Sequence, residues 1–202
     1  MDKTFEELLL KYARSSLPEE REQLEAQLWS EFGQTKAVFI MDMSGFSLLT
    51  QKYGIVHYLS MVKRMQVTTR PIIEQMGGEV VKFEADNCFA MFDSVKSAVE
   101  AAIVLNRTFN AMNEFTDDTF DIRVSIGIDF GNVLLVGGPD YFGGPVNRAS
   151  KLGEDIAGPG EIYVTETAFN QIPSEAGFSG ERLDLDISGI RLPSYILSYS
   201  LA

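Results

Sequence analysis

Two apolar segments, each of which delivers one aspartate, place the strongest constraint on this chain. The first segment, residues 37–47 (AVFIMDMSGFS), carries Asp42, and the second, residues 77–92 (GGEVVKFEADNCFAMF), carries Asp86. Short continuous apolar runs predict buried strands, and each aspartate lies where the strand pattern breaks. Carboxylates that meet at the ends of neighbouring strands suit hard divalent cations, which prefer oxygen ligands. The two segments therefore predict a metal site on a sheet.

Asp42 has two interpretations when it is taken alone. It follows the apolar strand predicted over residues 36–41, and open α/β sheets place ligands outside the carboxyl ends of their strands. Alternatively, its carboxylate would cap the helix that is predicted to begin near Phe46, a role that Ser44 could also fill. The first segment alone leaves both interpretations open.

The second segment predicts a tight hairpin with Asp86 near its tip. Strand alternation places Lys82 and Glu84 on the same face of this hairpin. Val81 and Phe83 should then lie on the other face. A lysine within an apolar hairpin carries a desolvation cost unless it has a partner. That partner is either Glu84, in a structural ion pair, or a bound ligand.

A third polar group lies in residues 140–154 (DYFGGPVNRASKLGE). Its Gly-Gly-Pro start predicts a helix, on which Asn147 and Lys151 share one face whereas Arg148 points away. An amide and a cation near a helix N-terminus suit a ribose or a phosphate. The chain contains no GxxxxGK[ST] sequence, so this stretch is not a P-loop. Together the three groups indicate a metal-dependent nucleotide site.

The order of the predicted elements favours an α/β fold, an α+β sandwich in which helices cover a mostly antiparallel sheet. The dipeptide at residues 131–132, Gly-Asn, lies between two strand-like runs and predicts a second hairpin. The helical pattern between the first strand and the first hairpin should break near Gly54, and Pro71 should interrupt its later part.

Apolar residues recur at helical spacing from Phe5 to Phe32 and predict two short helices ahead of the first strand. We therefore divide the chain into an N-terminal helical extension, residues 1–33, and a single domain, residues 34–202. The extension would form either an amphipathic cap over the core or an arm that stabilises a dimer or transmits a signal.

The composition excludes several classes of partner. The chain has 17 Lys and Arg against 29 Asp and Glu, and its net charge of -12 argues against nucleic acid or an anionic membrane as the main partner. Its apolar runs fall short of the roughly 20 residues of a membrane helix, and its N-terminus does not resemble a secretory signal, so we expect a cytoplasmic protein. A single Cys88 and a single His57 provide no internal disulfide and no Cys/His zinc set, and we expect His57 to be a solvated or packed helical residue and not a catalytic base.

The three polar groups, in this order, resemble the catalytic domain of the class III nucleotide cyclases. In that family FxDxxGF carries one metal-binding aspartate, KxxxD carries a base-contacting residue and the second metal-binding aspartate, and an aspartate precedes an asparagine by seven residues. The corresponding stretches here are residues 39–46 (FIMDMSGF), residues 82–86 (KFEAD), and Asp140 with Asn147. The similarity extends from about Lys36 to the C-terminus and implies the ferredoxin-like fold of the class III cyclases.

The resemblance implies how metal and substrate would be held. Asp42 and Asp86 correspond to the two metal ligands, and the Met43 carbonyl corresponds to a further one. The family uses two ions per site, and we expect Mg²⁺ or Mn²⁺. Gly45 and Phe46 of the first motif correspond to substrate-binding residues.

The resemblance also assigns the base and ribose contacts. Lys82 and Asp140 correspond to the base-reading pair, and this combination is the family's adenine-type pattern, whereas Glu with Cys is the guanine-type pattern. Asn147 corresponds to the catalytic residue that orients the ribose. Lys151 stands where the family usually has an arginine that stabilises the transition state, and turnover should be slow because lysine lacks the planar guanidinium fork. A second departure, Glu84 with alanine after it in place of Ile-Gly, should bring an extra carboxylate near the metals.

In this family the metal residues and the base and ribose residues of one site come from different subunits. The resemblance therefore implies a homodimer with shared active sites. The activity expected is that of an adenylate cyclase, which converts ATP into cyclic AMP and pyrophosphate. The alternatives are a cyclase for GTP or a pyrimidine nucleotide, a regulatory domain that binds nucleotide with weak turnover, and a dimerisation module without a ligand.

Overall fold

The structure is a computed structural model that describes residues 2–137, 140–187 and 189–200, and the side chains of residues 46–49 and 190 lie outside this description. The helices are α1 (Lys3–Arg14), α2 (Pro18–Phe32), α3 (Phe46–Tyr53), α4 (Ile55–Gln75), α5 (Val95–Asn113), α6 (Gly144–Ser150) and α7 (Glu166–Phe169), and a π-helical segment (Lys151–Ile156) continues α6. The strands are β1 (Gly33–Met43), β2 (Gly78–Glu84), β3 (Asn87–Phe92), β4 (Val124–Val136), β5 (Asp140–Phe142), β6 (Ile162–Thr165), β7 (Ser179–Ile187) and β8 (Ile190–Ser198).

The eight strands of the described chain form one sheet in the order β2-β3-β1-β4-β6-β8-β7, and β5 pairs with β4 outside this path. Strands β4 and β6 run parallel, and the other described pairs are antiparallel. The mostly antiparallel sheet covered by helices confirms the fold class expected from the sequence. Among the described residues, no helix has the length and apolar character that crossing a bilayer requires.

Helices cover both faces of the sheet around β1. Buried residues of α4 and α5 pack against the odd-numbered residues 37–43 of β1 in the largest cluster of buried side chains. On the other face, Ala149 of α6 packs with Val38 and Ile40. Because side chains alternate along a strand, Asp42 continues this second face, which we call the α6 face.

The second hairpin predicted at residues 131–132 is wrong. Strand β4 runs without a turn from Val124 to Val136, and β1 pairs with it from Gly33, opposite Leu134, to Met43, opposite Val124. A Gly-Asn dipeptide favours a turn only through local preferences, and the long β1 ladder on this stretch outweighs them. The strand that returns along the end of β4 is β5 instead.

The helical predictions are confirmed at Gly54, where a φ of 86° separates α3 from α4. Pro71 does not end α4, which continues to Gln75 because it is held by buried residues on both sides of the proline. His57 is packed, as expected: its Nε2 lies 2.7 Å from the Thr119 carbonyl oxygen and its ring lies 4.1 Å from that of Phe120.

The two N-terminal helices pack back onto the sheet. Phe5 and Leu8 of α1 and Leu28 of α2 are buried in one cluster with Val136, near the end of β4. The rings of Phe5 and Phe32 meet edge to face with centroids 5.1 Å apart. Within one chain the two helices therefore form an amphipathic cap, and the division at residue 33 stays a prediction, as does any role of these helices in a dimer.

Candidate functional site

Asp42 lies at the carboxyl end of β1, on the α6 face of the sheet. After β1, the Ser44 amide donates to the Arg123 carbonyl at 2.9 Å, and Gly45 adopts a left-handed φ of 86° as the N-cap of α3. No side chain of the described residues makes a capping hydrogen bond to α3. The interpretation of Asp42 as a helix cap is therefore wrong, and its carboxylate remains available to a ligand.

Asp86 lies at the tip of the β2–β3 hairpin, as predicted. The preceding residue, Ala85, has a φ of 52°, in the left-handed region that favours glycine, and this tight turn directs the chain back into β3. Cys88 of β3 pairs with Met41 of β1, so the hairpin tip lies beside the end of β1. Asp86 is 8% exposed. The two strands therefore bring both aspartates to the same edge of the sheet.

The environment of the two aspartates opposes their ionisation. The pKa of Asp42 is raised to about 7, first by burial and then by the charges of Asp86 and Glu154. A hydrogen bond from the Met43 amide opposes this shift in the Asp42 pKa. Burial also raises the pKa of Asp86, against hydrogen bonds from its own amide and from Tyr58. Carboxylates placed in this way need a nearby cation to be stable in their ionised form.

The raised pKa of Asp42 predicts a pH-dependent stability of the metal-free protein. In the unfolded chain this carboxyl loses its proton near pH 3.8, and in the folded chain near pH 7, so its ionisation favours unfolding as the pH rises through that window. We expect Asp42→Asn to raise Tm at pH 8 by roughly 2–8 °C, since a domain of this size shifts about 2–4 °C for each kcal/mol.

This stability effect is measured by thermal unfolding in EDTA at pH 4 and pH 8. At pH 4 the variant and the wild type should unfold at similar temperatures, because Asp42 is then protonated in the folded chain. Asp118→Asn, on an exposed turn before β4, is the matched control and should change Tm little at either pH. A Tm for Asp42→Asn that is no higher than that of the wild type at pH 8 would contradict the prediction.

A third carboxylate, Glu154, faces the aspartates from the π-helical segment Lys151–Ile156. This segment lies directly on the sheet: a Cβ at Gly153 would come within 2.9 Å of backbone atoms of β1 and β4. Only glycine permits so close an approach. Burial raises the pKa of Glu154, and the charge of Asp86 contributes to the shift. Sequence reasoning did not single out Glu154, although it ends the polar stretch of residues 140–154.

Lys82 is held between two carboxylates. Its Nζ donates to Oδ1 of Asp140 at 2.9 Å and lies 3.0 Å from Oε2 of Glu84. The hydrogen bond to Asp140 raises the pKa of Lys82, and the one to Glu84 adds to the shift. The structural partner that the sequence suggested for Lys82 is thus present, and a second one joins it. The Glu84 carboxylate, expected near the metals, pairs with this lysine, and its charge adds to the effect of burial in raising the pKa of Glu154.

A β-bulge sets the direction of Lys82. The register of β2 against β3 shifts between Val80 and Lys82. Val81 therefore packs in the cluster on the α6 face, whereas Phe83 packs in the cluster on the other face. The expectation that Val81 and Phe83 share a face is wrong, because the bulge adds one residue to β2.

Helix α6 carries Asn147, which is exposed, and is followed by Lys151, which is half-buried. Arg148 points to the sheet, where its Nε donates to the Asp129 carboxylate at 2.6 Å. The Thr165 hydroxyl donates to the same carboxylate. Asp129 is fully buried, so this ion pair anchors α6 on β4. As predicted, Arg148 does not share the face of Asn147.

The donor set at the two aspartates fits a divalent metal ion. Asp42 and Asp86 offer carboxylate oxygens, and the side-chain oxygen of Asn87 is buried without a hydrogen-bond partner among the described residues. Within the same described part of the chain, no three His, Cys, Asp or Glu side chains group closely enough to hold an ion alone. Two carboxylates would therefore leave coordination positions for backbone, water or substrate oxygens, as is common for Mg²⁺.

The structure thus forms two of the predicted groupings, the aspartate pair and the pair of Lys82 with Asp140. Met43 ends β1, and Gly45 lies exposed in the turn that follows it. Asn147 and Lys151 lie on the α6 face but not in either grouping. The side chain of Phe46, predicted to bind substrate, lies outside the described residues.

Comparison with known proteins identifies a matching family model and similar proteins. A family model described as the adenylate and guanylate cyclase catalytic domain matches residues 30–198. An adenylate cyclase of Streptomyces coelicolor is 32% identical over 133 residues, which are 66% of this chain and 32% of that protein. An uncharacterized protein of Mycobacterium tuberculosis is 28% identical over 139 residues, 69% of this chain and 35% of that protein. The chain therefore spans about a third of the length of these curated relatives.

The fold has a solved counterpart as well. The structure of the adenylyl cyclase CyaB from P. aeruginosa superposes with a TM-score of 0.71 at 19% identity, over 83% of this chain and 96% of that one. At this level of identity the match concerns the fold.

Proposed function

Because the chain belongs to the adenylate and guanylate cyclase catalytic domain family, we propose that it is an adenylate cyclase that converts ATP into cyclic AMP and pyrophosphate. The observation that carries this choice of base is the contact between Lys82 and Asp140, at 2.9 Å. A lysine donor beside an aspartate acceptor complements the N1 acceptor and the N6 donor of adenine. A guanine-type site would carry Glu and Cys at these positions.

Class III cyclases use divalent metal ions, and we propose two Mg²⁺ or Mn²⁺ ions at each site of this protein. Asp42 and Asp86 would hold them, together with the carbonyl of Met43. When bound, the ions supply Lewis-acid activation of the ribose 3′-hydroxyl and neutralise charge on the triphosphate. Their positive charge would also offset the burial and the neighbouring negative charges that raise the pKa of Asp42.

The remaining roles fall to the residues of α6 and its extension. Asn147 would orient the ribose so that its 3′-oxygen lies in line with the α-phosphorus, and such positioning alone is worth roughly 10²-fold or more in rate. Lys151 would place a positive charge near the pentavalent phosphorus. Gly45 and Phe46 would contact the substrate at the start of α3. We propose that each site is completed by a second copy of the chain, which would supply Lys82, Asp140, Asn147 and Lys151 to the aspartates of its partner.

The proposed activity is tested by incubating the purified protein with each of the four nucleoside triphosphates, with Mg²⁺ or Mn²⁺, and identifying the products by mass. We expect cyclic AMP from ATP, with pyrophosphate in equal amount. Cyclic GMP or a cyclic pyrimidine nucleotide as the main product would overturn the choice of base and leave a cyclase.

A second function, a regulatory domain that binds nucleotide with weak turnover, is favoured by Lys151 alone. In that case no cyclic product forms from any of the four triphosphates, while metal-dependent nucleotide binding persists. Asp42 and Asp86 favour the enzyme, because both carboxylates of the family's metal site are present in this chain.

A further inference from the structure

We infer that Glu84 is a third base-reading residue, directed at position 2 of the purine. This inference rests on the proposed role of Lys82 and Asp140 in reading the base. The observation behind it is that the Lys82 Nζ bridges two carboxylates, with Asp140 at 2.9 Å and Glu84 at 3.0 Å. The three side chains thus present an acceptor, a donor and an acceptor in that order.

The ammonium group of Lys82 is held in one orientation. It has three N–H donors, of which the two carboxylates take two, so one donor remains for a ligand. Its Nζ also lies 5.0 Å from the centroid of the Phe89 ring, and the Lys82 side chain is only 29% exposed. The Asp140 and Glu84 side chains are more exposed, at 43% and 66%, so both remain accessible to a ligand.

A row of acceptor, donor and acceptor has a definite complement among purine edges. Adenine offers the N6 donor to Asp140 and the N1 acceptor to Lys82, and then only the C2 hydrogen to Glu84. A purine that carries an amino group at C2 as well as at C6, which is 2,6-diaminopurine, would satisfy all three residues. Adenine thus pairs with Asp140 and Lys82 only. A purine with a 2-amino group would pair with Glu84 as well.

The competing reading is that Glu84 only steadies Lys82 as an exposed ion pair, a type of contact that contributes little. The two interpretations predict different ratios between the affinities for the 2-amino purine and for adenine once Glu84 is removed. If Glu84 reads position 2, its removal abolishes the preference for a 2-amino purine. If Glu84 only steadies the lysine, its removal weakens the binding of both purine nucleotides by the same factor.

The test measures binding of 3′-deoxy-ATP and of its 2-amino derivative to the full chain in Mg²⁺, because both lack the attacking hydroxyl. We expect the wild type to bind the 2-amino nucleotide about three- to tenfold more tightly, the effect of one hydrogen bond to a partly exposed carboxylate. In Glu84→Ala this ratio should fall to about one, and Glu84→Gln, which keeps an amide oxygen acceptor, should retain part of it.

Glu100→Gln is the matched control, since Glu100 also pairs with a lysine, Lys96, but lies on α5 at the opposite face of the sheet. It should leave the ratio unchanged. Equal affinities in the wild type, an unchanged ratio in Glu84→Ala, or no binding of either nucleotide would overturn the inference. Failure of the proposed function is a separate result: the wild type would make no cyclic nucleotide from ATP, while the binding ratio still decides the role of Glu84.

Discussion

An equimolar mixture of Asp42→Ala and Asn147→Ala chains should regain about a quarter of the wild-type cyclase activity, although each variant alone should lose at least about 10²-fold. In the proposed homodimer, random pairing makes about half of the dimers mixed, and each mixed dimer has one intact site and one site that lacks both residues. The intact site takes Asp42 from one chain and Asn147 from the other.

The described chain supports this division of the site. Asn147 and Glu154 are seven residues apart on α6 and its extension, which corresponds to about 10 Å along a helix. Glu154 lies close enough to Asp42 for its charge to add to the effect of burial in raising the Asp42 pKa. Asn147 is also exposed within one chain. A ribose held by Asn147 would therefore meet the two aspartates of a partner more readily than those of its own chain.

The complementation is measured best on mixed dimers that are coexpressed with two different tags and isolated through both. Such dimers should reach about half of the wild-type activity per dimer, because one of two sites is intact. Each variant coexpressed with itself is the control, and thermal unfolding checks that the chains remain folded. Isolated mixed dimers that are as inactive as the single variants would contradict the shared site.

The parts of the site that could be predicted from sequence depend on strand patterns. The apolar runs that precede Asp42 and Asp86 fix where each strand ends, and neighbouring strands then bring the two carboxylates together. The pattern could not show that Asp42 leaves the cap of α3 empty, since that depends on the left-handed turn at Gly45. The cap interpretation was therefore open from sequence and was excluded by backbone geometry.

The errors have physical causes that a local pattern does not contain. The dipeptide at residues 131–132 resembles a turn, but the eleven residues of β1 form a ladder along β4 and keep it straight. Simple alternation places Val81 on the same face as Phe83, whereas the β-bulge after Val80 places it on the α6 face. Glu154 was missed because it lies on a π-helical segment, in which the spacing of a regular helix no longer tells which residues share a face.

The position of Lys151 follows from this same segment. Lys151 is the first residue of the π-helical turn, one turn after Asn147, and Gly153 two residues later holds the backbone against β1 and β4. The backbone position of Lys151 is therefore fixed. How far its charged group extends toward a phosphate depends only on the length of the side chain. An arginine at this position would differ from lysine mainly in the shape of its donor group.

Lys151→Arg should raise kcat by about tenfold or more and leave KM nearly unchanged. A guanidinium donates two parallel hydrogen bonds to phosphate oxygens, whereas an ammonium acts as a point charge, and a catalytic arginine can be worth about 10³–10⁵ in rate. Steady-state kinetics with ATP would measure the change, with Lys151→Ala as the control that should lower kcat by removing the charge altogether. If Lys151→Arg has the wild-type kcat while Lys151→Ala has lost activity, the native lysine already supplies the full stabilisation, and slow turnover cannot be attributed to this residue.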